Sequence, residues 1–185
     1  MMQIIIPAPQ KYISTCERIC SGLEAGAINF EVVEGGSERQ YSIWNGLKVL
    51  KSEVELVAVH DAARPFVKEE FVSSCFVTAD KVGGAVLGIP VKDTIKEVKR
   101  DLEIRSTPER SSLWQAQTPQ VFKKDMIVEA YESALKEGFL GTDDASLIER
   151  IGGEVKMVMG DSENLKITYP VDLKMAELIA EGWNE

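Results

Sequence analysis

The segment Val59-His60-Asp61-Ala62-Ala63-Arg64-Pro65 carries the densest chemistry in the chain. It closes an apolar run, so Asp61 falls at the carboxyl end of a buried strand, with small residues and an arginine behind it. An aspartate so placed can hold Mg²⁺ beside a phosphate, because magnesium takes oxygen ligands, keeps several waters and needs only one or two carboxylates. The same residues suit a structural turn in which Asp61 caps the chain and Arg64 pairs with it. Residue types alone divide evenly between the two. His60, the one histidine, suits a packed or capping place better than that of a general base. Lys92-Asp93-Thr94, Arg105, Arg110, Thr118, Thr142 and Lys166 add donors suited to a phosphate or a hydroxylated substrate. Each of them alone equally suits a cap or a solvated surface. Lys166 stands between Leu165 and Ile167; a lysine turned inward there is costly unless it meets an anion.

These side chains need a frame, and the pattern supplies strands alternating with helices. Ile4-Ile5-Ile6 before Pro7 reads as a buried strand, and Ile13, Cys16, Ile19 and Cys20 as a helix. Phe30 to Val33 is the next strand. Ser37-Glu38-Arg39-Gln40 forms a capping-box pattern with Ser37 as N-cap, and Ile43, Trp44, Leu47 and Leu50 follow on one helical stripe. Leu56 to His60 is a near-continuous apolar run, as in a parallel strand covered on both faces. A helix around Phe71 to Phe76 and a buried strand from Ala85 to Val91 come next. Further helices are expected over 123–136, over 142–151 and from Pro170 onward, where Thr142-Asp143-Asp144 makes a good helix start. Short strands are expected over 155–159 and 165–168. Trp114 and Phe122 read as core anchors around a turn formed by Gln115 to Gln120. Such alternation implies an α/β fold, a doubly wound, mostly parallel sheet in one domain over 1–185, with sites at the carboxyl ends of its strands.

One stretch breaks the rhythm. Thr94 to Val98 and Leu102 to Arg105 alternate around Lys99-Arg100-Asp101, which predicts a hairpin with about four apolar side chains, set on an arm spanning roughly 93–112. A lone hairpin is marginal in water. It should pack on something, whether a second subunit or its own domain.

Composition narrows the function. Among 185 residues, 21 Lys and Arg face 30 Asp and Glu, for a net charge of −9. No basic run could form a nucleic-acid face, and no apolar stretch approaches a membrane span. The start of the chain lacks the basic opening and apolar centre of a signal peptide, so a soluble cytoplasmic protein is expected. Cys16, Cys20 and Cys75 read as reduced, mostly buried thiols; with one histidine, a structural zinc site has too few ligands.

Read in order, six segments resemble the 2-C-methyl-D-erythritol 4-phosphate cytidylyltransferases of the non-mevalonate isoprenoid pathway. They are Glu34 to Ser42 (with Gly35-Gly36-Ser37-Glu38-Arg39-Gln40), Val59 to Phe66, and Pro90-Val91-Lys92-Asp93-Thr94-Ile95-Lys96. Arg110-Ser111-Ser112-Leu113-Trp114-Gln115-Ala116-Gln117-Thr118-Pro119-Gln120, Thr142-Asp143-Asp144-Ala145-Ser146 and Asn164-Leu165-Lys166-Ile167-Thr168 complete the series. None is diagnostic alone; their order along the chain is the signal.

The resemblance implies cytidylyl transfer from CTP to methylerythritol phosphate, with release of pyrophosphate and Mg²⁺ as cofactor. It implies that Gly36, Ser37, Ser42 and Ala62 lie against the nucleotide, although Ser37 stands where many members have Asp. It implies that Asp61 binds the metal, that Asp61, Arg110 and Lys166 act in catalysis, and that Arg64, Thr94, Thr118 and Thr142 bind the sugar-alcohol phosphate. The family's hairpin arm crosses to the second subunit of a homodimer, which gives the orphan hairpin a reason. Two alternatives accompany this. One is transfer to ribitol 5-phosphate, although Ala62-Ala63-Arg64 and Arg110-x-x-Leu113-Trp114 look more like the methylerythritol enzyme. The other is a non-catalytic homologue that dimerises and binds a sugar phosphate. It arises because Ile4-Ile5-Ile6-Pro7 resembles the family's second strand, with no Gly-rich basic loop ahead of it. For the chain as it stands, that departure implies weak CTP binding and little or no turnover.

Overall fold

A computed structural model of the chain describes residues 3–23 and 28–183. They form two compact units, Met1–Val57 with Lys123–Gly153, and Ala58–Phe122 with Glu154–Glu185. The architecture is α/β.

In the first unit, β1 (Gln3–Ala8) pairs in parallel with β2 (Asn29–Glu34), Ile5 opposite Glu31 and Ala8 opposite Glu34. Helices α1 (Ile13–Ser21) and α2 (Arg39–Leu47) pack on this pair. The apolar run of β1 is what selects it as a strand. Helix α4 (Lys124–Glu137) buries Ile127, Ala130, Tyr131 and Ala134, a spacing of three and four residues that lays them on one face. It ends at Gly138, whose φ of 63° is left-handed and costs glycine nothing. Helix α5 (Asp144–Arg150) packs against α4 and is capped by Asp143, whose carboxylate accepts the Ser146 N–H at 2.9 Å.

Two expectations fail here. The helix α2 starts one residue later than the capping box requires: Glu38 is its N-cap, and no side chain caps it. The Gln40 amide is drawn off instead to the Phe139 carbonyl and the Gly141 N–H, at 2.9 Å each, so the reciprocal bond to Ser37 does not form. Cys16 and Cys20 are half-exposed rather than buried, because α1 buries none of its residues. Cys75 is fully buried, as expected.

The second unit holds most of a four-stranded sheet in the order β3-β7-β4-β8. These are β3 (Leu56–Val59), β4 (Gly84–Pro90), β7 (Trp114–Lys123) and β8 (Val155–Met159). Strand β4 runs parallel to β8 and antiparallel to β7, so the sheet is mixed. The buried Gly84 to Gly88 stretch suits a strand with neighbours on both edges. Helix α3 (Glu69–Val82) covers β4 and β8 through Cys75 and Ala79. Strand β3 is covered less than its composition promised: Ala58 is exposed. Helix α6 (Pro170–Trp183) follows. The hairpin forms as β5 (Glu97–Val98) and β6 (Ile104–Ser106), with Ile95, Val98, Leu102 and Ile104 all exposed.

Strand β7 replaces the expected turn between Trp114 and Phe122. Three glutamines and a proline hid it, since proline is rare in central strands. The register resolves the conflict. Gln120 faces Val86 and Ala116 faces Gly88, so Gln117, Thr118 and Pro119 form a bulge opposite Leu87; the Thr118–Pro119 bond is cis. A bulge is where a strand tolerates proline and re-aims a side chain. The strand expected over 165–168 does not form either. That segment joins no sheet; it is held to the Ala63 carbonyl by the Ile167 N–H at 2.8 Å.

Candidate active site

Where β3 ends, the chain turns tightly: the Arg64 N–H donates to the Asp61 carbonyl at 2.9 Å. The Asp61 carboxylate, only 15% exposed, meets Lys166 Nζ at 2.9 Å and lies 3.8 Å from Arg64 Nε. Lys166 thus finds the anion that its position demanded, but from an exposed place rather than an inward one. Two cations on one carboxylate leave the cluster with net positive charge, suited to an anion.

Arg64 Nη1 donates to the Asn164 carbonyl at 2.8 Å. The fully buried Asn164 amide donates to the Thr118 carbonyl at 2.9 Å and to Gln117 Oε1 at 3.2 Å. Gln117 in turn donates to the Asp161 carbonyl at 2.8 Å. The bulge of β7 and the segment before α6 are thereby tied to the turn. Two buried atoms, Arg64 Nε and Asn164 Oδ1, have no hydrogen-bond partner among the described residues. Buried polar groups are usually satisfied, and leaving one unmade is costly. Burial pulls the Arg64 guanidinium pKa down, and Asp61 partly restores it. A guanidinium remains protonated regardless.

His60 as a residue is exposed, but both ring nitrogens are engaged. Nε2 lies 3.0 Å from the Arg64 carbonyl and Nδ1 3.0 Å from Thr118 Oγ1. Desolvation lowers its pKa, against the pull of the Arg64 carbonyl. Thr118 itself is 4% exposed, and its Oγ1 accepts the Asp61 N–H at 3.0 Å.

The remaining sequence-derived residues fall into two further groups. Thr94 and Arg110 are exposed at the base of the hairpin, where Arg110 Nη1 donates to the Lys92 carbonyl at 3.1 Å. In the first unit, Ser42 Oγ accepts the Gly36 N–H at 3.0 Å and donates to the Glu38 carbonyl at 3.1 Å. A Cβ on Gly36 would stand 2.3 Å from that of Tyr41, so only glycine lets this turn close. Ser37 is exposed beside it, and Thr142 is exposed just ahead of the α5 cap. The structure therefore gathers Asp61, Ala62, Arg64, Thr118 and Lys166 in one place, and Gly36, Ser37 and Ser42 in another. Asn164 and Gln117 had no assigned role in the sequence. No local signal marks a buried amide, since what defines it is partners far along the chain.

Mg²⁺ is compatible with this donor set in a limited sense. Asp61 offers one carboxylate, and Mg²⁺ commonly completes its shell with water and substrate phosphates. The unsatisfied Arg64 Nε beside it fits a site that receives an anion. No helix among the described residues is long and apolar enough to cross a membrane.

A family model for 2-C-methyl-D-erythritol 4-phosphate cytidylyltransferase matches residues 1–182. The curated enzyme of that name from Caldanaerobacter subterraneus is 52% identical over 149 residues, covering 80% of this chain and 66% of that protein. Its counterpart from Bacillus licheniformis is 51% identical over 152 residues, covering 82% and 65%. The chain thus spans just under two thirds of the length of these curated relatives. Among solved structures, 4-diphosphocytidyl-2C-methyl-D-erythritol synthase from Anaerococcus prevotii matches with a TM-score of 0.90 at 31% identity, over 98% of this chain and 82% of that one. The Thermus thermophilus 2-C-methyl-D-erythritol 4-phosphate cytidylyltransferase matches at 0.79 and 29% identity, over 98% of each chain. The six ordered segments, the α/β frame and a match running from residue 1 to residue 182 agree, and this chain belongs to the 2-C-methyl-D-erythritol 4-phosphate cytidylyltransferase family.

Proposed function

We propose that the protein transfers a cytidylyl group from CTP to 2-C-methyl-D-erythritol 4-phosphate and releases pyrophosphate. The observation that carries this is the Asp61 carboxylate at the end of β3, set between Lys166 and Arg64 in a chain of this family. In the reaction, a phosphate oxygen of the acceptor bonds to the α-phosphorus of CTP as the bond to the pyrophosphate oxygen breaks. The protein's part is to bring the two anions together and offset their charge. Lys166, Arg64 and Arg110 supply that charge. Thr94, Thr118 and Thr142 belong with the acceptor, and Gly36, Ser37, Ser42 and Ala62 with the nucleotide. Asp61 would hold Mg²⁺, which when bound neutralises phosphate charge and orients the phosphates. A homodimer joined through the hairpin accounts for its exposed Val98, Leu102 and Ile104, and a cytoplasmic location suits the substrates.

Pyrophosphate release tests the reaction, measured with CTP, Mg²⁺ and either methylerythritol phosphate or ribitol 5-phosphate at equal concentration. Whatever release the chain gives should require Mg²⁺ and prefer methylerythritol phosphate, and methylerythritol phosphate should bind. Preference for ribitol phosphate overturns the acceptor, and failure both to bind and to convert either acceptor overturns the reaction. Deleting Thr94 to Arg105 should give monomers by light scattering; a persistent dimer refutes the role of the arm.

A further inference from the structure

The turn that carries Asp61 has little of its own to hold it. Its central residues are Ala62 and Ala63, with no side-chain anchors, and its ends are tied into a closed set of hydrogen bonds. The Asp61 N–H donates to Thr118 Oγ1 at 3.0 Å. Thr118 Oγ1 lies 3.0 Å from His60 Nδ1, and His60 Nε2 lies 3.0 Å from the Arg64 carbonyl. The Arg64 N–H returns to the Asp61 carbonyl at 2.9 Å.

Donor and acceptor chemistry assigns the protons around this ring. A carbonyl only accepts, so His60 Nε2 carries a hydrogen. A backbone N–H only donates, so Thr118 Oγ1 accepts from Asp61 and has its own proton to give. The lone pair of a bare Nδ1 takes that proton. The opposite tautomer would set a ring lone pair against the carbonyl oxygen. For the neutral ring one arrangement satisfies every member, and the β7 bulge is what aims the Thr118 hydroxyl into it.

We propose that His60 is a positioning residue: as its Nε2–H tautomer it closes a ring through Thr118 that fixes the Asp61–Arg64 turn and so aims the Asp61 carboxylate. This rests on the reading of that turn as the reaction site. It gives the buried Thr118 hydroxyl a task within the chain, and it makes the first residue of the His60-Asp61 pair a support for the second.

The sole histidine makes the test direct, since the ¹⁵N-labelled chain contains one imidazole. A long-range ¹H–¹⁵N correlation at neutral pH should show a protonated Nε2 and a hydrogen-bonded, unprotonated Nδ1, with the Asp61 amide slow to exchange. Thr118→Val should move the Nδ1 resonance toward that of a free lone pair and speed Asp61 amide exchange about tenfold, the loss of one hydrogen bond. Thr118→Ser should restore both. A mixture of tautomers, an Nδ1–H form, or no change in Thr118→Val overturns the proposal. Should Thr118→Val not fold, the unmodified chain's spectrum still decides the tautomer. In the pyrophosphate assay, His60→Phe should lower kcat about tenfold at unchanged KM. If the unmodified chain neither binds nor converts an acceptor, the proposed reaction is at fault and the spectra still judge the ring.

Discussion

Asp144 and Asp61 each hold an arginine, Arg39 at 2.8 Å and Arg64 at 3.8 Å. Asp144 has no exposed side-chain surface. Its second oxygen receives the Tyr131 hydroxyl, whose pKa is pushed up by burial first and by the Asp144 charge second. That carboxylate joins α2, α4 and α5 with both oxygens bonded, and a ligand has nothing to add. Asp61 is partly open, shares one oxygen with two cations, and sits beside a buried guanidinium nitrogen without an acceptor. A satisfied buried carboxylate holds a fold together. A carboxylate with surplus positive charge around it is prepared for another anion.

The contrast can be broken most sharply at Asp144. Asp144→Asn leaves one acceptor oxygen where Arg39 and the Tyr131 hydroxyl each need one, and it removes the buried charge that faces them, so stability should drop by about 3 kcal/mol, measured by urea unfolding. A loss under about 1 kcal/mol would mean that Asp144 is no more structural than Asp61. Next comes Asp61→Asn, which should cut Mg²⁺-dependent pyrophosphate release about a hundredfold while the melting temperature stays nearly unchanged; retained turnover removes Asp61 from the site.

A surface pair sets the low end of the scale. Lys68 Nζ bonds Asp161 at 2.7 Å and Glu163 at 2.8 Å. The Lys68 ammonium, then the Glu163 N–H, hold the Asp161 pKa below its ordinary value. A depressed carboxylate pKa contributes stability above the unfolded value, and that stability is lost as pH falls through the folded one. Lys68→Met should therefore flatten the acid limb of the stability curve below about pH 4. At neutral pH it should cost less than about 1 kcal/mol, because the pair is solvent-screened. A larger neutral-pH loss would move this pair toward the class of Asp144.

How much of this was legible varied with the range of the interaction. The apolar spacing of α4, the isoleucines of β1, the hairpin and the Asp143 helix start were readable, because each depends on neighbours within a few positions. The pairing of Asp61 with Arg64 was readable for the same reason. Strand β7 was not, since a Gln-rich stretch with a proline in it becomes a strand only when β3 and β4 stand on either side of it. Ser37 failed as a cap because Gln40 found better partners at Phe139 and Gly141, about a hundred residues on.

From residue types alone came the α/β frame, an acidic chain without a long basic run, the Asp61 segment as the densest cluster of chemical groups, and six segments in family order. Those follow from composition and short-range periodicity, which a linear string contains. The partner of Lys166, the His60–Thr118 ring and the orphaned Arg64 Nε were decided only in three dimensions. Each needs groups from distant stretches to meet, and Arg64 and Asn164 lie 100 residues apart. Local pattern sets which atoms are available; packing alone sets which of them meet.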